Sequence, residues 1–236
     1  MATRSAEQYL KVLLAFEGSE DVTMTQIARR LGVSSASVTG MAKRLSSKGL
    51  LRHQPYGEIG LTPEGRDIAV RLLRRHRIAE LYLFEKLSYP LYLVHDEADA
   101  LEHHMSDYLE ERMTDALANP VFDPHGHPIP ATDGQMPEFT GLPLPEAETG
   151  QSYQVATVPD RDPLFLRHLV QIGCIPGAQL HVTQASTETS TVTFRLREDA
   201  HSLGEDKARE ILLCSPGEQQ SRCFDEFLSH MKSLTH

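Results

Sequence analysis

The spacing of apolar residues divides the chain into a helical first half and a strand-rich second half. Tyr9, Leu10, Leu13, Leu14 and Phe16 recur at helical intervals, and Ser5 is placed to cap a first helix that runs to about Glu17 and ends at Gly18. Thr23 and Gln26 have capping-box spacing ahead of a short helix through Leu31. A tight turn at Gly32-Val33-Ser34 follows, and then a third helix over Ser35–Leu45. Ile27, Leu31, Val38, Met41 and Leu45 fall on the inward side, leaving Ser34, Ser35, Ser37, Thr39, Lys43 and Arg44 outside. Two short helices joined by a glycine turn, the second opening on small polar residues, make a helix-turn-helix. Leu50–Leu61 then reads as two short strands about a Pro55-Tyr56-Gly57 turn, the wing of a winged helix.

Thr62-Pro63-Glu64 is a helix start with a cap, a proline at the first position and an acid in the first turn. No proline or glycine follows Gly65 until Pro90, so one helix reaches about Leu87, with Ile68, Leu72, Leu73, Ala79, Leu83 and Leu87 as its apolar stripe. That stripe suits either a helix–helix dimer interface or a monomer's core. A further helix is predicted over Val94–Ala118, closed by Asn119-Pro120. Residues 121–150 shift to Pro, Gly, Asp and Thr, with six prolines, and read as a partly extended, mobile linker. Beyond it, Tyr153–Val158 alternates as a strand, Asp162-Pro163 caps a short helix through Gln171, and Gln179–Thr183 with Thr191–Leu196 form a hairpin. Short strands with tight turns fit a small β-barrel. A terminal helix is expected from Glu218 to Leu234, with Phe224, Phe227, Leu228 and Met231 on its apolar side.

Charge sharpens this picture. The net charge of −10 conceals an asymmetry. Residues 1–77 hold 13 Lys/Arg against 7 Asp/Glu, a net of +6, and residues 78–236 hold 10 against 26, a net of −16. A basic winged helix on an acidic body implies that only the head meets a polyanion, with double-stranded DNA the partner its motif fits. The small hydroxyl residues at the front of the third helix allow close approach to DNA, and Lys43 and Arg44 can reach phosphate. No apolar run approaches membrane-helix length and the N-terminus lacks a signal-peptide segment, so a cytoplasmic chain without a membrane partner is expected. Three cysteines without CxxC spacing (Cys174, Cys214 and Cys223) fit reduced thiols.

The chemistry concentrates in His95-Asp-Glu-Ala-Asp99-Ala-Leu-Glu102-His103-His104. On a helix, His95, Asp99, Glu102 and His103 share one face, and imidazoles with carboxylates are the donors that borderline divalent metals take. His76 and Glu80 form another i,i+4 pair, and Asp123-Pro-His125-Gly-His127 is a compact donor cluster. His104 is read as a non-ligand, and Asp96 and Glu97 as first-turn charges.

These residues resemble the metal-dependent repressors typified by the diphtheria toxin repressor and its manganese-responsive relatives. The resemblance is carried by Ser5–Leu10, Ala28–Ser34 through Gly49-Leu50, Leu61–Gly65, Arg75–Glu80, Val94–Ser106 and Pro124–Pro130. Leu166–Leu169 through Gly173–Gly177 resembles the family's SH3-like barrel, which is shared with small iron-transport (FeoA-like) proteins. The implied fold is mainly α with a small β part. A winged helix-turn-helix occupies 1–63, a helical metal-binding and dimerisation domain 64–120, the Pro-rich linker 121–150, and the barrel with its C-terminal helix 151–236. The implied function is a homodimeric, metal-activated regulator binding a palindromic operator and repressing metal uptake.

Carried over by position, one metal site takes Asp99, Glu102 and His103 plus a first-helix ligand. A second takes His76, Glu80 and His95, joined by Asp123, His125 and Asp160. Family members often have Cys where Asp99 stands, and Met or Asp where Gln8 stands. Asp99 makes the first site harder, favouring Mn(II), with Fe(II) next. Gln8 offers only a neutral amide oxygen, so Glu7 and Gln8 both remain candidates. Two other readings are a helical carboxylate–histidine metalloenzyme, for which only two metal-bearing helices are visible, and a winged-helix sensor of an organic ligand.

Overall fold

The computed structural model describes residues 3–18, 22–53, 59–186, 190–214 and 226–231. These cluster into two compact units, Met1–Arg75 with Pro130–Gln135, and His76–Ile129 with Met136–His236.

In the first unit, α1 (Arg4–Leu14), α2 (Met24–Leu31) and α3 (Ser35–Ser47) precede a two-stranded antiparallel ribbon, β1 (Leu51–His53) and β2 (Ile59–Leu61). The turn expected at Pro55-Tyr56-Gly57 lies outside the described residues. Tyr9, Leu10, Ile27, Val38, Ala42, Leu45 and Leu51 build one apolar core. The capping box of α2 is present, with the Gln26 backbone N–H donating to Thr23 Oγ1 and the Thr23 N–H to Gln26 Oε1. The first helix is capped by Thr3 rather than Ser5, because Thr3 has the extended backbone of a cap and accepts from the Ala6 N–H. Regular helix ends at Leu14, and a turn continues to Gly18. Ser34 is the N-cap of α3, its hydroxyl accepting from the Ser37 N–H. Ser35, Ser37, Lys43 and Arg44 are exposed and Thr39 is half-buried.

The long helix α4 (Pro63–Leu87) matches its expected span. Thr62 anchors its start, donating its hydroxyl to Gly49 O and accepting from the Gly65 N–H. Within the second unit, α4 is followed by α5 (Val94–Leu101) and α6 (Asp107–Ala116), where the sequence pattern read one helix. The break is local chemistry. Ser106 takes an extended conformation and caps α6 by accepting from the Leu109 N–H, while Met105 is buried. Ile78, Leu81, Leu83, Val94, Ala98 and Met113 pack between these helices.

The segment read as a mobile linker begins with tightly packed residues. Phe122, Asp123, His125 and Ile129 are buried, and an Ile129 N–H to Val121 O bond closes a loop. It leads into β3 (Leu142–Pro143), β4 (Ser152–Thr157), α7 (Pro163–Ile172), β5 (Gln179–Ser186), β6 (Thr191–Leu196), β7 (Asp199–Gly204), the short α8 (Glu205–Ala208) and β8 (Leu212–Cys214). The strands form one antiparallel sheet in the order β3-β8-β4-β5-β6-β7, bulged in β4 and β5. Its core of Leu144, Val155, Leu166, Leu169, Val182 and Phe194 also takes in Leu91 from the turn before α5. Residues 226–231 are helical, and Leu228 and Phe227 pack beside Phe122. The rest of the expected terminal helix, including Phe224, lies outside the described residues.

Candidate metal centre

Near its middle α4 is buried on most sides, and there it carries His76 and Glu80, both closed off from solvent. A buried charge needs a partner or an ion, so these two positions define where to look. His76 faces two ways. Its Nδ1 lies 2.8 Å from Glu102 Oε2 and 3.3 Å from Asp99 Oδ1, whereas its Nε2 lies 3.0 Å from both Glu80 Oε1 and His95 Nδ1. The His76 and His95 rings meet edge-on with centroids 4.7 Å apart.

The first group of donors is therefore His76, Asp99 and Glu102, with His103 Nε2 3.4 Å from Glu102 Oε1. His95 and Asp99 belong to α5, Glu102 is the residue that ends it, and His103 sits in the turn beyond. Breaking the helix there lets Glu102 and His103 both point inward while His104 stays exposed. The sequence reading had placed His76 with the second group alone. Glu7 and Gln8 lie half-buried on α1 of the other unit.

The second group gathers on Glu80. His95 Nδ1 is 3.0 Å from Glu80 Oε1 and 3.8 Å from Asp160 Oδ2. His125 Nδ1 is 3.8 Å from Glu80 Oε2 and 4.0 Å from Asp123 Oδ1. Asp160 comes from the loop between β4 and α7, so this group joins the helices to the sheet. Asp123 organises the loop that delivers His125: its Oδ1 accepts the backbone N–H of His125 at 2.8 Å and of His127 at 2.9 Å. The same loop docks on β4 through the Val158 N–H to His125 O bond. Gly126 is required between the two histidines, since a Cβ there would stand 2.0 Å from Ala156 O at a φ of +90°.

Two atoms decide whether these residues fit a cation. Glu80 Oε2 and His125 Nδ1 are buried, face each other, and have no hydrogen-bond partner. His125 Nε2 lies 3.2 Å from Leu91 O, so the ring N–H donates there and Nδ1 is the nitrogen turned toward Glu80. Two donors sharing one ion at bonds of about 2.0–2.2 Å stand roughly 2.8–4.4 Å apart. The distances from Glu80 and Asp160 to the imidazoles lie in that window. The electrostatics agree. Burial opposes charge on His125, yet Glu80, with Asp123 and Asp160 behind it, overrides that and pushes the imidazole up to about 9. Glu80 is held well below the usual carboxylate range, where burial is outweighed by His76 and His125. Asp160 is lowered despite burial, chiefly by His127, then by His95 and His125. The site favours positive charge, and a divalent cation meets that demand.

Two contributors escaped the sequence reading. His127 was noticed in the Asp-Pro-His-Gly-His run but not counted as a ligand, although its Nδ1 is 3.2 Å from Asp123 Oδ2. Arg77 was missed entirely. Its guanidinium donates to Pro128 O and its Nε stands 3.6 Å from Asp123 Oδ2, clasping that loop to α4. A cation one residue after a buried histidine was the available signal.

Comparison with known proteins finds relatives along most of the chain. Residues 1–59 match the family model of the iron dependent repressor N-terminal DNA binding domain, and 62–131 its metal binding and dimerisation domain. Residues 142–213 match the FeoA domain. The iron-dependent repressor IdeR of Mycobacterium tuberculosis is 31% identical over 204 residues, covering 80% of this chain and 87% of that protein. The diphtheria toxin repressor of Corynebacterium glutamicum is 35% identical over 127 residues, covering 53% of this chain and 56% of that protein. Among solved structures, a manganese-dependent transcriptional repressor in complex with manganese superposes with a TM-score of 0.82 at 35% identity, covering 89% of this chain and all of that one.

Proposed function

The chain belongs to the iron-dependent repressor family of metal-dependent transcriptional repressors, and we propose from that premise that it is a homodimeric repressor activated by Mn(II), with Fe(II) the second choice. The observation that carries the metal assignment is the donor set around His76. Asp99, Glu102 and His103 offer carboxylate oxygens and imidazole nitrogens with no thiolate, a hard set that suits Mn(II). The two described cysteines, Cys174 and Cys214, are buried with the sheet instead. Structural relatives have been solved with manganese, cadmium or zinc, and the mycobacterial relative is named for iron, which supports a divalent-metal regulator of this type.

The ion supplies fixed coordination bonds that hold several side chains in one arrangement. In the first centre Asp99, Glu102 and His103 would hold it, with Glu7 or Gln8 as the donor from α1. In the second, Glu80, His95, His125 and Asp160 would hold it, with Asp123 ordering the loop. His76 couples the two. A neutral imidazole has one N–H and one lone pair, so a nitrogen that ligates in one centre leaves the other as an N–H donor to the carboxylate of its neighbour. His76 would in this way hold Glu102 on its Nδ1 side and Glu80 on its Nε2 side.

The DNA-contacting residues of the proposal are Ser35, Ser37, Thr39, Lys43 and Arg44 on α3, with Ser34 presenting the helix start. A dimer sets two copies of α3 into successive major grooves of a palindromic operator, about 34 Å apart. Exposed Leu87, Leu93, Leu101, Tyr108 and Leu109 along α4–α6 support the dimer, since apolar side chains of that size seek cover. Among the described residues no helix is long and apolar enough to cross a membrane, and we assign the protein to the cytoplasm, where its DNA is.

The test is operator binding in metal-stripped buffer, titrated with Mn(II), Fe(II), Co(II) and Zn(II). Mn(II) should restore binding at the lowest free concentration relative to its weak intrinsic affinity. Glu102→Ala and His103→Ala should abolish the metal response, and an unchanged Mn(II) response in either variant overturns the assignment. Glu7→Ala and Gln8→Ala compared in the same assay decide which residue of α1 takes part.

A further inference from the structure

We propose that His127 is itself a metal ligand, making the second centre a three-imidazole site that retains a later divalent metal, such as Co(II) or Zn(II), in preference to Mn(II). The proposal rests on the reading of that centre given above. Asp123, His125 and His127 each present a donor atom within 4.8 Å of the others. His127 Nδ1 is 4.0 Å from Asp160 Oδ2, a separation that two ligands of one ion take at bonds of about 2.0–2.2 Å, and it is held beside the loop by a 3.2 Å hydrogen bond to Asp123 Oδ2. The His125 and His127 rings are 6.0 Å apart and inclined at 37°.

The placement is built into the backbone. Asp123 N–H donates to His127 O, His127 N–H donates to Asp123 Oδ1, and Gly126 makes the turn that only a residue without Cβ fits. Asp123 Oδ1 is spent on this work. It takes two backbone N–H groups, and Arg77 Nε approaches Asp123 Oδ2. The loop's nitrogen donors toward the cation are the two imidazoles. His125 is fully buried, whereas the His127 side chain is 24% exposed and stands at the solvent side, beside the 25%-exposed Asp160. An ion arriving from water meets His127 and Asp160 before it reaches the unpartnered pair, Glu80 Oε2 and His125 Nδ1.

The consequence is selectivity. His95, His125 and His127 with Glu80 and Asp160 give three nitrogens and two carboxylates. The centre around Asp99 and Glu102 is oxygen-richer. Imidazole donors favour the later metals of the divalent series, so the two centres diverge in preference and the second keeps its metal while the first responds to supply.

The experiment uses the full chain carrying Glu102→Ala, which disables the first centre, with Glu102→Gln as the substitute should that variant not fold. Each background is prepared with and without His127→Ala and titrated with Co(II), Zn(II) and Mn(II). Visible absorption of Co(II) and pulsed-EPR counting of imidazole nitrogens on Mn(II) report the ligands. Three imidazoles are expected, falling to two with His127→Ala, with Co(II) and Zn(II) binding weakened at least about tenfold and Mn(II) less. An unchanged nitrogen count, whether or not affinity falls, overturns the proposal and makes His127 a hydrogen-bond partner of Asp123. Absence of any bound metal in the Glu102 variants with His127 intact overturns the second centre itself.

Discussion

Gly126 and His125 show how a single residue sets the site. At Gly126, alanine would place its Cβ 2.0 Å from Ala156 O in a left-handed backbone, so the loop must leave β4. Gly126→Ala should cost about 1–3 kcal/mol in denaturant unfolding and abolish metal retention at Glu80 and His125, while Gly134→Ala, with only Val70 Cγ1 at 3.7 Å, serves as the left-handed control with an intact centre. His125 makes a pH prediction. Its pKa in the folded protein is about 9, above an unfolded value of about 6.5. A raised histidine stabilises the fold fully below the unfolded value and loses that contribution as pH rises through the folded one. In chelator, the wild-type thermal midpoint should therefore fall between about pH 6.5 and 9, and His125→Gln should flatten that decline. A parallel decline in the variant would assign the effect elsewhere. At this scale the donor types were legible in the sequence, because His, Asp and Glu at i,i+3 and i,i+4 spacing are visible as letters. What was hidden is that His76 serves both groups, since that depends on the ring nitrogens facing opposite ways across α4.

Elements were legible where punctuation is strong. The α7 helix follows from Asp162-Pro163 at one end and Gly173 at the other, and α4 from Thr62-Pro63. The break between α5 and α6 was not, because Ser106 sits within a pattern whose apolar spacing continues through it, and a cap is recognised only once the backbone extends. Strands β3 and β8 are two and three residues long, too short to show alternation, and β7 is a largely polar strand paired only with β6. The loop at 121–129 misled for a similar reason. Its prolines and glycine suggest mobility, whereas Asp123 and Arg77 tie its backbone to buried partners. The α7 cap offers a test of element-level stability. Asp162 accepts from the Phe165 N–H at 3.0 Å and pairs with Lys207 Nζ at 3.0 Å. Both lower its pKa, the backbone bond more. Asp162→Ala should cost about 1 kcal/mol, and Asp162→Asn less, since asparagine keeps the cap and loses only an exposed ion pair. A depressed carboxylate stabilises above its unfolded value, near pH 3.9, and that contribution is lost as pH falls through the folded value. The wild-type advantage over Asp162→Asn should therefore shrink below about pH 4 in urea unfolding. An advantage that persists in acid would trace to packing of α7 instead.

For the molecule as a whole, charge and metal have to be considered together. The basic first 77 residues and the acidic remainder, at +6 and −16, give a protein that DNA attracts at one part and repels at the other. Association is then governed by the few cations that reach phosphate, and Lys43 and Arg44 stand exposed on α3 beside Ser37 and Thr39. Each phosphate contact releases condensed counterions, so the logarithm of the binding constant falls with the logarithm of salt by about 0.9 per contact. Lys43→Ala and Arg44→Ala should each weaken binding to any duplex and reduce that slope by about one per protomer, and so by about two for a dimer on a palindrome. The loss should be the same on operator and random DNA if these side chains meet only phosphate. If instead Arg44 reads a base edge, its variant loses operator affinity selectively, by about 1–3 kcal/mol, with the slope unchanged. Metal enters through linkage: if Mn(II) strengthens operator binding, operator must strengthen Mn(II) binding by the same factor, with a coupling of about 1–3 kcal/mol typical of such systems. Measuring Mn(II) affinity with and without operator at one salt concentration checks that equality. In Lys43→Ala the operator affinity should drop with the coupling factor preserved, provided that Lys43 meets phosphate equally with and without metal. A coupling that collapses along with the affinity would mean that α3 itself, rather than the arrangement held by Glu102 and His103, is what the metal orders.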